Sequence, residues 1–472
     1  MRKTVLSASV TDDLATASAT RLAEAIRAKQ VSSRELLDLY VDRIDRLNGP
    51  LNAVVTLDVE RARNAAAAAD NALARGDDVG PLHGLPVTIK DAIETEGIRS
   101  TGGAIELTDH VPTADAPAVA SLKRAGAIVF GKTNVPRWSG DMQTYNEVFG
   151  MTSNPWAHDR TPGGSSGGPA AAVAAGFTSF EVGTDIAGSI RLPSHMCGVF
   201  GLKPSYGVIP QRGYLDHVGG GITDADINVF GPIARDADDL ALLLDVMAGP
   251  EPERAAAWRL ELPAPSGSTL SDYRIGVWFD DPGCPIGRDV GAVLANAAAR
   301  IADAGGKVED AHPPVNFDEQ VETFFRLLIP AISPSFPEET AEIISSSHLA
   351  WLRNNEERAR LRAIWAEWFD SYDILLCPVL PTATFPHDNE SDFAARRLVI
   401  DGVEREHVSL VRWTGLIGVV GLPSAVIPIG RTDAGFPVGM QIVSPYLHDR
   451  RSVHVAQLLR DVLGGYEVPP GY

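Results

Sequence analysis

The sequence predicts an α/β protein. Two observations carry this. Short apolar runs that end at proline or glycine read as buried strands, and between them lie longer segments with helical spacing of apolar residues. A third observation sets the organisation: residues 131–232 are crowded with Gly, Pro, Ser and Thr. Such loops, held by a rigid scaffold, are where globular proteins place chemistry.

Taken in order, residues 18–47 read as two helices. Leu22, Ile26, Val31, Leu37, Tyr40, Ile44 and Leu47 recur at broadly helical spacing, and Ser32 and Glu35 have capping-box spacing for the second start. The Ala-rich residues 58–76 predict a further helix. A short strand follows from Pro86, then a helix over 114–124 and a buried strand at 127–130. Beyond the loop-rich segment, 234–247 reads as helix, stopped at Gly249-Pro250, and 251–272 as a connector. Strand 274–278, helix 290–304 and strand 307–310 make another unit, with Gly305-Gly306 as the helix stop. Residues 317–370 read as mainly helical and carry Trp351, Trp365 and Trp368. Strands are expected at 374–377 and 425–428, a last helix at 450–463, and a charged surface excursion at 383–405.

Composition bounds the function. Lys+Arg is 41 and Asp+Glu 61, a net charge of −20. Such a surface argues against nucleic-acid and anionic-membrane partners. Cys197, Cys284 and Cys377 lack disulfide or zinc spacing and read as reduced core thiols. The N-terminus has no apolar signal core, and no run of 18 apolar residues suits a membrane helix, so the expectation is cytoplasmic. Length alone suggests two or three domains.

Three segments could carry chemistry. Thr161–Ala170 reads TPGGSSGGPA, two serines between two Gly pairs before an Ala-rich run. Glycine permits close backbone approach and positive φ. The alternatives are a linker or a phosphate loop, but no Lys follows Gly168 as a phosphate loop needs. Gly183–Pro193 reads GTDIAGSIRLP and sets Ser189 at a small-residue turn between Asp185 and Arg191. Its backbone N–H groups could hold an oxyanion, or the segment could be a structural turn with an acid–base pair. Lys90 ends the apolar run Val87-Thr88-Ile89. It could snorkel to the surface or be a buried neutral base. Lowering its pKa from ~10.4 to near 7 costs roughly 4–5 kcal/mol, within what burial supplies.

Together these segments resemble the amidase signature family. The resemblance runs from about residue 20 to the C-terminus. It is densest at Gly84–Asp91, Pro162–Gly168 and Gly183–Pro193, with further matches at Cys197–Ser205, Phe230–Arg235, Gly421–Ala425 and Gly435–Gln441. It implies one large domain over 1–472, a mixed sheet covered by helices, which overrides the length-based expectation. Within it lie a helical N-terminal part at about 18–76, a catalytic core at about 80–250, and a substrate-side and C-terminal part at about 270–472. It also implies a triad: Ser189 as nucleophile, Ser165 after a cis peptide bond as relay, and Lys90 as base. Ser166, Asp185 and Arg191 become supports, and the N–H groups of Ile186, Ala187, Gly188 and Ser189 an oxyanion hole. Many members carry two Gly before the nucleophile where this chain has Ala187-Gly188, which matters only if position 187 needs positive φ.

A neutral lysine drawing a proton through Ser165 makes Ser189 a competent nucleophile. The substrate-side segment of the family corresponds to Trp138, Gly140, Met142, Gln143 and Tyr145, which either line a pocket or pack in the core. Gly207–Ile222 and residues 317–370 are further pocket candidates. His83, His195 and His217 lack metal-site spacing and read as solvated or core residues. The expected reaction is hydrolysis of a small amide, anilide, carbamate (urethane) or ester, with no metal or cofactor, by a monomer or homodimer. The alternatives are a glutamine-hydrolysing amidotransferase subunit with a partner, and a non-catalytic binding protein on the same fold.

Overall fold

The apolar runs form strands because β-branched and aromatic side chains there can be covered on both faces. A computed structural model describes residues 13–472. Its smaller sheet joins β1 (Val54–Leu57), β3 (Ile128–Thr133) and β2 (Pro86–Lys90), in that spatial order. β2 runs parallel to β3 and β1 antiparallel. All five residues of β2 and all six of β3 are buried.

The larger sheet has eight strands in the order β10-β9-β11-β15-β14-β7-β8-β6. These are β6 (Glu181–Asp185), β7 (Phe200–Lys203), β8 (Val229–Ala234), β9 (Arg274–Val277), β10 (Lys307–Asp310), β11 (Ile374–Pro378), β14 (Ser424–Arg431) and β15 (Pro437–Val443). β9, β10 and β11 are parallel and the remaining pairings antiparallel, so the sheet is mixed. Its outer edge, β10, is the charged and largely exposed run Lys-Val-Glu-Asp, which discourages pairing with another chain. Two hairpins complete the strands: β4 (Tyr145–Asn146) with β5 (Gly150–Met151), and β12 (Arg397–Ile400) with β13 (Val403–Glu406).

Helices cover both sheets. Those over 18–51 start and stop where their caps predict: Ser18 caps Ala19–Arg27, and Ser32 with Glu35 forms a reciprocal capping box on Ser33–Leu51. One apolar cluster extends from Ala15 to Leu463, which is why the fold is a single α/β domain rather than two or three. A second cluster packs Trp278, Phe317, Trp365, Trp368 and Trp413 against the far face of the large sheet. The helix expected over 234–247 begins only at Ala237: Val229–Ala234 pairs into the sheet, and the Asp236 carboxylate accepts the Asp238 N–H at 2.8 Å. The three cysteines are buried and unpaired.

The matched stretch Phe230–Arg235 has a structural use. Buried Arg235 donates to the carbonyls of Ala17, Val173, Thr178 and Ser179, stitching the turn at residue 17, the helix Gly167–Ala174 and the loop after it to the end of β8. Most of the expected surface excursion at 383–405 is exposed, but it sends one charge inward: Arg396 is 3% exposed and bonds Asp141 and Tyr145.

Replacing Ser32 with Ala removes one side of the capping box. The expected loss is about 1 kcal/mol, read as a lower urea midpoint with unchanged slope.

Candidate active site

The two sheets meet where β2 and β6 lie side by side without a backbone ladder. Side chains bridge the seam instead. The Thr88 N–H donates to Thr178 Oγ1 at 2.9 Å, and Thr133 Oγ1 donates to Glu181 Oε1 at 2.9 Å. Lys90, the last residue of β2, lies fully buried in this seam. Its Nζ bonds Ser165 Oγ at 2.7 Å, Ser166 Oγ at 3.0 Å and Thr184 Oγ1 at 2.7 Å. Burial drives its pKa well below the ordinary lysine value, against the opposing fields of Asp185 and Glu181. Burial also pushes the Glu181 carboxyl up to about 7, against hydrogen bonds from Thr88 and Thr133.

Ser165 follows a cis peptide bond from Gly164, and Ser166 precedes the wholly buried helix Gly167–Ala174. The glycines allow this seating: a Cβ on Gly168 would meet the Asn134 carbonyl oxygen at 2.3 Å. The Ser166 N–H donates to the Ser189 carbonyl at 3.1 Å, which binds the two serine segments together. Among the described residues, no hydrogen bond joins the Ser165 and Ser189 hydroxyls. The structure thus unites Lys90, Ser165 and Ser166 directly and brings in Ser189 through its main chain.

The Ser189 turn is built on an ion pair. Arg191 and Asp185 are fully buried, with Arg191 Nη2 at 2.8 Å from Asp185 Oδ1 and Nε at 3.0 Å from Oδ2. Burial raises the Asp185 pKa, but the Arg191 guanidinium outweighs it and holds the carboxyl below the usual range. Arg191 Nη1 goes on to the Thr414 carbonyl and Gln441 Oε1, at 2.8 and 2.9 Å. The Asp185 carboxylate also accepts the N–H groups of Gly188 and Ile190 at 2.8 and 3.1 Å.

That bond corrects the expected oxyanion set. The Gly188 N–H is taken by Asp185. Among the described residues, the N–H groups of Ile186, Ala187 and Ser189 are left without protein acceptors. Positive φ falls on Gly188, at +120°, where a Cβ would stand 2.2 Å from Leu192 Cδ1. Ala187 is outside the positive-φ residues, so its methyl group fits the turn.

Ser189 opens onto a cavity of about 240 Å³. Gly140, Met142, Ile186 and Ala187 form one side, and Phe325, Leu328, Ile329 and Ile332 of the helix Phe317–Ile332 the other, with Phe393, Val408 and Val411. Helix 317–332 therefore completes the pocket. Trp138 lines an adjoining cleft with Tyr214 and Asp216. Gln143 and Tyr145 are corrected: the Gln143 amide bonds the backbone of Asp388, and the Tyr145 hydroxyl accepts from Arg396. Asp141 is the one charged residue on the cavity, and Arg396 Nη1 holds it at 2.6 Å. Of the histidines, buried His195 bonds Gly439 and Thr382 and is held to about 4 by burial, a core role.

A sequence model of the Amidase family matches residues 35–336 and 326–453, nearly the whole chain. The chain belongs to this family. Among relatives, it is 29% identical to the A-type subunit of the glutamyl-tRNA(Gln) amidotransferase of Heliobacterium modesticaldum, over 97% of this chain and 99% of that one. It is 32% identical to the corresponding protein of Roseiflexus sp., over 89% and 91%. Among solved structures it is similar to a bacterial aryl acylamidase of the amidase signature family, with TM-score 0.83, 26% identity, and 97% and 99% coverage. It is likewise similar to a 6-aminohexanoate cyclic dimer hydrolase complexed with substrate, with TM-score 0.82, 26% identity and the same coverage. This amidase-family enzyme has the mixed α/β fold of those neighbours.

Asp185→Ala strands the Arg191 guanidinium in the interior. The expected cost is about 3–5 kcal/mol, read as a large fall in thermal midpoint; an unchanged midpoint contradicts the role given to the pair.

Proposed function

We propose that the chain hydrolyses amide-type C–N acyl bonds whose acyl group is apolar, through an acyl-enzyme on Ser189. Neutral Lys90 accepts a proton from Ser165 as Ser165 takes that of Ser189, and Ser189 Oγ attacks the carbonyl carbon. The resulting oxyanion accepts hydrogen bonds from the N–H groups of Ile186, Ala187 and Ser189, residues that line the cavity and whose N–H groups have no protein acceptor among the described residues. Collapse breaks the C–N bond, and the proton returns along the relay to the leaving nitrogen. Water then repeats the attack and releases the acid. Amides, anilides and carbamates all present a carbonyl on nitrogen and all fit this sequence of steps.

The observation that carries the acyl preference is the wall around Ser189. It is lined by Met142, Phe325, Leu328, Ile329 and Ile332, and its one acid is already paired. Burying an apolar acyl chain there gains about 0.8 kcal/mol per methylene.

The amidotransferase relatives favour a second reading, an A-type subunit releasing ammonia from glutamine with partner subunits. Glutamine carries an α-carboxylate and an α-ammonium that need charged partners. The cavity offers Asp141, already engaged by Arg396, the uncharged hydroxyls of Ser139 and Ser189, and apolar side chains. This favours the hydrolase reading.

The test is turnover of a series of p-nitroanilides from acetyl to octanoyl, beside a carbamate, an ester and glutamine. The expected kcat/KM rises about three- to fourfold per methylene until the cavity is full, and Ser189→Ala loses about 10⁴-fold or more. Glutaminase activity that appears only with amidotransferase partner subunits, with anilides untouched, supports the second reading instead.

A further inference from the structure

Lys90 shares the seam between the sheets with an acid. Glu181, the first residue of β6, is also fully buried. Its Oε1 accepts the Thr133 hydroxyl at 2.9 Å and its Oε2 the Val182 N–H at 3.1 Å. Both donors are neutral, and among the described residues Glu181 has no ion-pair partner. An ionised Glu181 therefore carries a charge that nothing in contact with it cancels.

Strand register sets that charge on the side of Lys90. Thr133 of β3 is the register partner of Lys90 in parallel β2, and such partners share a face of the sheet. Glu181 thus bonds the residue beside Lys90 on the face that meets β6. Lys132, the preceding residue of β3, takes the opposite face and gives its Nζ to the Ile93 carbonyl and Thr95 Oγ1. Of the elements packed most closely against β6, β2 brings Lys90, while β8 and the helix Gly167–Ala174 carry no titratable side chain.

The two acids of β6 differ in kind. Asp185, at the far end of the strand, is matched by Arg191, which holds it ionised. Glu181 has no such match, and burial pushes its carboxyl up to about 7, so its charge changes near neutral pH. The Lys90 nitrogen has only hydroxyls as hydrogen-bond partners. With water shut out of the seam, the Glu181 charge acts on Lys90 with little screening.

We propose that Glu181 is a positioning residue for the reaction, acting through its charge on Lys90 to set the pH range in which that lysine is a free base. This rests on Lys90 as the base of the proposed mechanism. The sign is fixed by the charges: ionised Glu181 favours protonated Lys90, and neutral Glu181 withdraws that support. As pH falls and Glu181 takes up a proton, Lys90 becomes easier to deprotonate than it would be beside a permanent carboxylate.

The experiment is the pH dependence of acylation of the full chain by a fluorophosphonate, for the natural sequence, Glu181→Gln, Glu181→Met and Lys90→Met. Each rate is taken as a fraction of that protein's own plateau. Both Glu181 variants are expected to move the acid limb to lower pH, giving about threefold or more the natural fraction well down that limb. A lower plateau with an unmoved limb is a structural effect and overturns the proposal, as does a limb moved to higher pH. A limb that Lys90→Met abolishes and the Glu181 variants leave in place overturns this proposal alone. A profile that Lys90→Met leaves unchanged removes Lys90 as the base, and this proposal with it. If neither Glu181 variant folds, carbon-13 resonances of the natural sequence decide: Lys90 Cε is expected to move in two steps, one of them together with Glu181 Cδ, and a single step independent of Glu181 overturns the proposal.

Discussion

Lys90 lies where two sheets meet without sharing a ladder, and the surrounding architecture answers to that burial. A lysine in water is charged, and a charged lysine in a dry seam is costly, so the seam presses it toward neutrality. Three hydroxyls surround its nitrogen and none of them is an acid. A carboxylate in their place would hold the proton on lysine. The nearest acids stand back: Asp185 is engaged by Arg191 and by backbone N–H groups, and Glu181 is driven toward its protonated form by burial. The neutrality that the proposed mechanism asks of Lys90 thus comes from exclusion of water, which outweighs the fields of Asp185 and Glu181.

Burial shapes the Ser189 turn as well. Asp185 draws the backbone into a tight loop, consuming the Gly188 N–H and leaving those on either side free. Arg191 then ties the loop to Thr414 and Gln441 of the C-terminal half. Residues more than 220 positions apart in the chain therefore hold one turn in place, the preorganisation that the proposed oxyanion hole requires. Stability and site geometry share one buried ion pair, so a change in it moves both.

Local features of the sequence were enough to read most of the scaffold. Ser32 and Glu35 marked a helix start, paired glycines marked stops, and Pro86 to Lys90 read as a strand because its apolar run is bounded by turn residues. Lys90, Ser165 and Ser189 were each ambiguous alone and became a set only through their order within a family-like framework. Other features were invisible because they depend on distant parts of the chain. Thr184 joins Lys90 only where β6 meets β2. Asp141 finds Arg396 across 255 residues, which draws one arginine of the surface excursion inward and, with Asp388, holds Gln143 and Tyr145 away from the pocket. The loss of Gly188 as an oxyanion donor could be seen only once the direction of its N–H was fixed by folding.

The central claim is that Lys90 is a neutral base at ordinary pH. The most direct measurement is the pH dependence of the rate at which a fluorophosphonate acylates Ser189. Protonation removes the base, so the rate should fall as pH drops through the Lys90 ionisation. Burial lowers that ionisation, so the rising limb should lie well below the value of a free lysine, ~10.4, and should vanish in Lys90→Met. A limb at the free-lysine value, or a profile that Lys90→Met leaves unchanged, contradicts the account.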